Sequence, residues 1–390
     1  IFIVGYIHTG TSLLKTILKR NPAVWAVTGE THFFQDLGKI KTQFPNLSDP
    51  TIRRDYIVFL IKLAYLGNKR AMWRRDEWTL ADFGLSDPQL DMVLAATAGV
   101  DSYEALFACV NDQLTALAGK DVWVEKTPEH VYYLNQLLRH VPDARVVELV
   151  RDPRATLASR KLRQTGDEWL DAKEAKESLE VDRQTNYDPL LDSLMWKEAV
   201  STARDARRTR PQNIITVRYE DLVGAPAETL RRICAFAGLA YSDDMLEVGW
   251  VNSATQLKDG AAPTQPRAGV STAAVEKWRK SLNGDEIYLS QTALRAEMRE
   301  LGYEPVATGA GAKAKAPLLL GGTAVHLAKR LAGDRRSPER ARDAFGRVQR
   351  HTDKVPQRII VLPVKRLANN ALDLRHNLHS WPRPRIVAEV

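Results

Sequence analysis

Cysteine is nearly missing from these 390 residues: Cys109 and Cys234 are the two. A single pair cannot build a disulfide framework, and every cysteine-rich zinc pattern is excluded. Both sit on apolar helical faces and read as buried free thiols. No apolar run reaches the ~18 residues that argue a membrane span, and no signal peptide precedes the first strand. That combination points to the cytoplasm, although the sequence starts at Ile1 without a methionine, so a leader ahead of it stays open. With 44% apolar and 27% charged residues, the composition is ordinary globular protein. A chain of this length can bury a core without crosslinks or metal.

Positive charge is also scarce where the net value of +8 would suggest it. From Ala307 to Val390 there are 17 Lys+Arg against 6 Asp+Glu, which leaves 39 basic and 42 acidic residues in the first 306. The body is thus slightly acidic, and nucleic-acid binding by it is not supported. Gly166 to Asp192 is the acidic counterweight, with nine acidic and three basic residues, and reads as a solvated face or loop.

The chain opens as strand, glycine turn and helix: Ile1–Val4, Gly5–Gly10 and Thr11–Arg20, stopped by Asn21-Pro22. Val24–Val27 is a second strand, followed by further strands at Val122–Val124, Val146–Val150 and Ile214–Val217. Each is short and apolar along its length, as strands covered on both faces are. Helical periodicity joins Ile52, Tyr56, Phe59, Leu60 and Leu63, and again Tyr103, Leu106, Phe107, Val110, Leu114 and Leu117. Strands alternating with helices imply an α/β fold, a parallel sheet flanked by helices, with ligands at the carboxyl ends of the strands.

Gly5-Tyr6-Ile7-His8-Thr9-Gly10-Thr11-Ser12 stands where such a fold cradles phosphate. Glycines let successive N–H groups converge on an anion, and the helix N-terminus adds its dipole. Thr9, Thr11 and Ser12 add hydroxyls. The spacing matches G-x-x-x-x-G-K-[ST] except that Thr11 occupies the lysine position. A second segment, Val147-Glu-Leu-Val-Arg-Asp-Pro-Arg-Ala-Thr-Leu-Ala-Ser159, puts Arg151 at a strand end and Ser159 about two turns into the next helix. Asp152 can cap that helix and Pro153 suits its first position. An arginine fork fits phosphate bidentately. Arg154 and Arg160 read as solvated or as remote support.

His8 to Ser12 resembles the 5′-phosphosulfate loop of sulfotransferases that use 3′-phosphoadenosine 5′-phosphosulfate (PAPS), and Arg151 with Ser159 resembles their 3′-phosphate segment. Val217-Arg-Tyr219-Glu-Asp-Leu222 resembles a third segment, whose tyrosine lies near the adenine, and Glu276-Lys-Trp278-Arg279 a later signature. The resemblance implies a P-loop nucleotide-hydrolase-like fold and a catalytic domain over 1–306; beyond it, 307–317, rich in Gly, Ala and Lys, reads as a linker and 318–390 as a basic, partly helical extension. It implies PAPS as co-substrate, held by His8, Thr9, Gly10, Thr11, Ser12, Arg151, Ser159, Tyr219 and, as a late basic residue over the 3′-phosphate, Arg267. No metal is implied, and no metal-ligand spacing stands out in the sequence.

Sulfuryl transfer asks for positioning, for charge stabilisation and for a base at the acceptor hydroxyl. Glu30, in Gly29-Glu-Thr-His-Phe-Phe34 after the second strand, resembles the base of the carbohydrate and tyrosyl-protein branches, with His32 as its rival. Lys126, in Glu125-Lys-Thr-Pro128, resembles a lysine that neutralises charge on the transferring group. His8 stands where the family has a permanent cation; protonated, it would donate to the bridging oxygen, and activity would fall as that proton leaves.

A kinase or nucleoside triphosphatase is the alternative, weakened by Thr11 at the lysine position; a non-catalytic nucleotide binder is another. The acceptor leans toward a carbohydrate or glycolipid hydroxyl, and Trp73 and Trp78 could stack on sugar rings or fill a helix junction. In the tail, mixed basic and apolar stretches suit packing on the body or self-association, and secondarily an anionic membrane surface.

Overall fold

The structure is a computed structural model and describes residues 1–67, 78–161, 187–248, 270–313 and 315. Arg267, Trp73, most of the acidic stretch and nearly all of the basic tail lie outside the described residues. The chain begins β1 (Phe2–Val4), α1 (Thr11–Leu18), β2 (Val24–Ala26), α2 (Phe33–Gln43) and α3 (Pro50–Leu66). It continues with α4 (Asp87–Ala96), α5 (Tyr103–Leu117), β3 (Val122–Lys126), α6 (Leu134–His140), β4 (Val146–Val150), α7 (Pro153–Lys161) and α8 (Pro189–Thr209). Then come β5 (Ile214–Arg218), α9 (Tyr219–Gly224), α10 (Pro226–Ala237), α11 (Trp278–Ser281), α12 (Gly284–Ala293) and α13 (Arg295–Glu300).

The five strands form one parallel sheet in the order β2-β3-β1-β4-β5. The expected α/β fold, a parallel sheet flanked by helices, is what the chain adopts. Each strand is mostly apolar because each is covered on both faces; β4 is buried at all five positions. The first turn of α1 follows from Gly10, and the helix ends at Leu18 rather than Arg20, where Arg20 N–H closes a tighter turn on Ile17. In α3, Asp49 accepts from the N–H groups of Thr51 and Ile52 and Pro50 supplies a preset φ, a strong start.

Two compact units divide the chain: Ile1–Arg151 with Ala199–Val275, and Asp152–Glu198 with Glu276–Val390. The first holds the sheet and a core that runs from Ile3, Leu14 and Ile17 through Val147 and Leu149 to Val217, Leu230 and Met245. The second centres on Trp278, packed with Ala155, Leu157, Ala158, Leu282 and Ile287. Trp278 is core, as a tryptophan on an amphipathic helix usually is.

Two readings need correction. Arg154 is not solvated: it is buried, pairs with Asp152 at 2.6 Å, donates to Gln291 and lies over the Trp278 ring at 4.1 Å. Arg160 likewise pairs with Asp192 at 2.7 Å. Of the two free thiols, Cys234 is buried while Cys109 is only half-buried. Asp152 caps α7 as expected, accepting from the N–H of Arg154 at 2.9 Å.

Candidate active site at the carboxyl edge of the sheet

The loop from Gly5 to Gly10 leaves the carboxyl end of β1, and its glycines are dictated by backbone. Gly10 has φ 96°, and a Cβ there would stand 2.4 Å from Cδ2 of Tyr219. At Gly5, with φ 152°, a Cβ would stand 2.3 Å from the Leu149 carbonyl oxygen. The loop is therefore squeezed between β4 and the ring that opens α9, a fit only glycine permits. Gly5 N–H donates to the carbonyl of Pro128 at 3.1 Å, tying the loop to the end of β3. The Thr9 hydroxyl donates inward to the Tyr6 carbonyl at 2.8 Å, so it braces the loop. Thr11 and Ser12 open α1, Thr11 buried and Ser12 half-buried.

Arg151 is bound to this loop. Its Nη1 donates to the His8 carbonyl at 3.1 Å and its Nη2 to the Ala274 carbonyl at 2.7 Å, while the guanidinium lies over the Tyr219 ring at 4.4 Å. Arg151, Tyr219, His8 and Gly10 are thus brought together. Ser159 is half-buried on α7 in the second unit.

Among the described residues, the two non-glycine positions with left-handed backbone are His8 (φ 65°) and His32 (φ 47°). Such conformations cost about 1–3 kcal/mol and survive where surrounding contacts over-determine them. Those contacts are visible for His32. Thr28 N–H donates to Ala64 O at 2.9 Å, and Gly29 passes so close to Gly67 that a Cβ on it would meet the Gly67 Cα at 2.6 Å. The Thr31 N–H donates to Thr127 Oγ1 at 3.0 Å and the Thr31 hydroxyl to Glu125 Oε1 at 2.8 Å. Glu125 itself is fully buried, paired with the equally buried His130 at 3.1 Å. Burial alone would raise the Glu125 carboxyl, but His130 and the hydroxyls of Thr127 and Thr31 hold it down at about 2.

On that anchored segment stands Glu30, with Lys126 Nζ bound to Oε1 and His32 Nε2 at 3.4 Å from Oε2. Burial opposes its ionisation, yet the His32 and Lys126 contacts pull the carboxyl down to about 2. His32 moves the other way: burial disfavours its charge, but the bond to Glu30 and the carboxylates of Glu129, Glu30 and Glu125 raise it above the usual imidazole value. Gln35 lies 3.2 Å from His32 Nδ1 and fixes the ring from behind. Glu30, His32 and Lys126, three of the four expected catalytic residues, therefore form one cluster, at the end of β3 next to the glycine loop.

Some members of the site were not foreseen. Thr31, Thr127, Glu125 and His130 form the foundation beneath Glu30, a role no spacing in the sequence reveals. Lys15 could have been found, since it lies one helical turn beyond Thr11; its Nζ donates to Thr28 O at 2.7 Å. Ligand atoms of Glu30, His32 and Glu129 lie within 4.8 Å of one another, close enough to hold a cation. The Lys126 ammonium on Glu30 competes with any such ion. Trp78 stacks on Phe83 at 6.2 Å, in keeping with the helix-junction reading.

Residues 1–243 match the profile of a family described as "Sulfotransferase family". Human carbohydrate sulfotransferase 3 is 29% identical over 168 residues, 42% of this chain and 34% of that protein. Nodulation protein NoeE of Sinorhizobium fredii is 28% identical over 205 residues, 49% of this chain and 47% of that protein. The chain spans about a third to a half of the length of these curated relatives. Among solved structures, the sulfotransferase domain from the curacin biosynthetic pathway is 14% identical, with a TM-score of 0.44 and coverage of 78% of this chain and 98% of that one.

Proposed function

We propose that this chain, which belongs to the sulfotransferase family, moves the sulfuryl group of PAPS to a carbohydrate hydroxyl, with Glu30 as the base. The observation that carries the reading is the Glu30–Lys126–His32 cluster, in which the segment after β2 meets the end of β3, the strand beside β1 and its glycine loop. Carbohydrate sulfotransferases among the relatives support the acceptor class.

The chemistry follows from the geometry. The loop N–H groups and α1 N-terminus receive the 5′-phosphate, and Tyr219, packed on Gly10 and under the Arg151 guanidinium, is assigned to the adenine end of the nucleotide. Arg151 is assigned to the 3′-phosphate. That role requires the Arg151 guanidinium to exchange a carbonyl partner for phosphate oxygen, which a fork of five donors allows. The acceptor oxygen attacks sulfur in line as the S–O bond to the 5′-phosphate breaks, and its proton passes to Glu30. A carboxylate held near 2 is a weak base. It suffices in a loose transition state, where bonding to the acceptor lags behind departure of the 5′-phosphate and the proton leaves late, from an oxygen by then bonded to sulfur and strongly acidic. Lys126 places positive charge beside the group in flight. His32 orients Glu30.

The test is incubation of the protein with a panel of oligosaccharides and labelled PAPS, followed by mass spectrometry of the products, beside a Glu30→Gln variant. Sulfated sugar that appears with the wild type and vanishes with the variant is the expected result. Product formed equally well by Glu30→Gln would remove the glutamate from the mechanism.

A further inference from the structure

We propose that Lys15 is a donor-binding residue of this site, receiving the sulfonate end of the nucleotide; the inference rests on the PAPS reading above. The loop lacks a permanent cation at both places where one would be expected, His8 and Thr11. Lys15 stands one turn beyond Thr11 on α1, and helical side chains lean toward the helix N-terminus, so its ammonium is carried back to the level of the loop. The bond to Thr28 O, beyond the carboxyl end of β2, fixes it there at 2.7 Å.

Lys15 thus ties α1, the helix that the 5′-phosphate loop opens, to the segment that carries Glu30 two residues past Thr28, near enough to feel the Glu30 charge. In-line transfer from a donor on the loop to an acceptor at Glu30 requires the sulfuryl group to pass between the two. The electrostatics point the same way. Among the described residues, no carboxylate lies within ion-pairing distance of Lys15, whose hydrogen bond goes to a neutral carbonyl. Glu30 is already engaged by Lys126 and His32, and Glu125 by His130, Thr31 and Thr127. Burial and the neighbouring Lys126 ammonium, helped by Lys19, lower Lys15 to about 8 against the pull of Glu125 and Glu30. A half-buried ammonium facing a second one, with only a carbonyl as partner, is stabilised by an arriving anion.

Isothermal titration of the full chain tests this, with PAPS and with adenosine 3′,5′-bisphosphate, near pH 8 in buffers of different ionisation enthalpy. Wild type should take up a fraction of a proton on binding PAPS, because the sulfonate restores the charge of Lys15. Lys15→Met should weaken PAPS by about tenfold or more, as loss of a charge-assisted contact does, and leave the bisphosphate within about twofold. Lys15→Arg should keep PAPS affinity and lose the proton uptake. Equal weakening of both nucleotides by Lys15→Met, or uptake unchanged in Lys15→Arg, would overturn the assignment. Wild type that binds neither nucleotide would instead sink the donor reading, and this inference with it.

Discussion

Two glutamate–histidine pairs sit at the carboxyl edge of this sheet, on segments that touch. Glu125 and His130 are 3.1 Å apart and have no exposed side-chain surface; Glu30 and His32 are 3.4 Å apart, with side chains 36% and 29% exposed. Both carboxyls are held at about 2. The difference lies in the shell. Glu125 has Thr31 and Thr127 on one oxygen and His130 on the other, and the His130 ring is boxed by Phe34 at 5.0 Å and Phe2 at 6.3 Å. Nothing can approach it, so its chemistry is structural. Glu30 stands on top of that foundation with an open side, and its partners are the His32 imidazole and the Lys126 ammonium. The same two residue types serve as a pillar where they are sealed and as a candidate base where they are open.

Substitution at each pair separates the two roles. Glu30→Gln should lower turnover by about a thousandfold, within the range of lost general-base catalysis, while the denaturation midpoint falls less than in Glu125→Gln. Initial-rate measurements beside urea titrations check it; a large stability loss in that variant would make Glu30 a second pillar. Glu125→Gln should do the reverse and cost about 2–3 kcal/mol of stability, because the buried carboxylate that accepts from Thr31 and Thr127 and faces His130 is replaced by an amide with one acceptor oxygen.

Acid should act through the sealed pair as well. The Glu125 carboxyl ionises near 4.5 when unfolded and near 2 when folded. Between those values the unfolded chain binds more protons, so stability is present above about 4.5 and is lost as pH falls toward 2. The loss amounts to about 3 kcal/mol for a group this buried. Glu30 adds less in the same window because solvent screens it. Urea midpoints against pH should show the decline in wild type and a flatter profile in Glu125→Gln. The smallest effect belongs to His32→Asn, which should lower turnover by about tenfold, since orientation of Glu30 is lost but Lys126 remains. A loss larger than that of Glu30→Gln would exchange the two roles and make the imidazole the base.

Much of this was readable in advance, for local reasons. The strand Val146–Val150 has the expected bounds because a β-branched and apolar run, broken only by Glu148 and followed by Asp152-Pro153, has few alternatives. Glu30, His32 and Lys126 were legible as candidates because each follows a strand end. Arg154 was not, since its partners Gln291 and Trp278 are more than a hundred residues away in sequence. The occupation of Arg151 by the carbonyls of His8 and Ala274 was hidden for the same reason.

The sequence by itself determined that a glycine loop would join a buried strand to a helix, and that a parallel α/β sheet would carry it. Those features follow from hydrophobic period and backbone freedom within a few residues. Only the tertiary structure decided that Glu125 is sealed and Glu30 open, that Lys15 reaches the Thr28 carbonyl, and that the Tyr219 ring lies where a Cβ on Gly10 would be. Burial and charge pairing depend on which distant segments the fold brings within a few ångströms, and no local pattern encodes that distance.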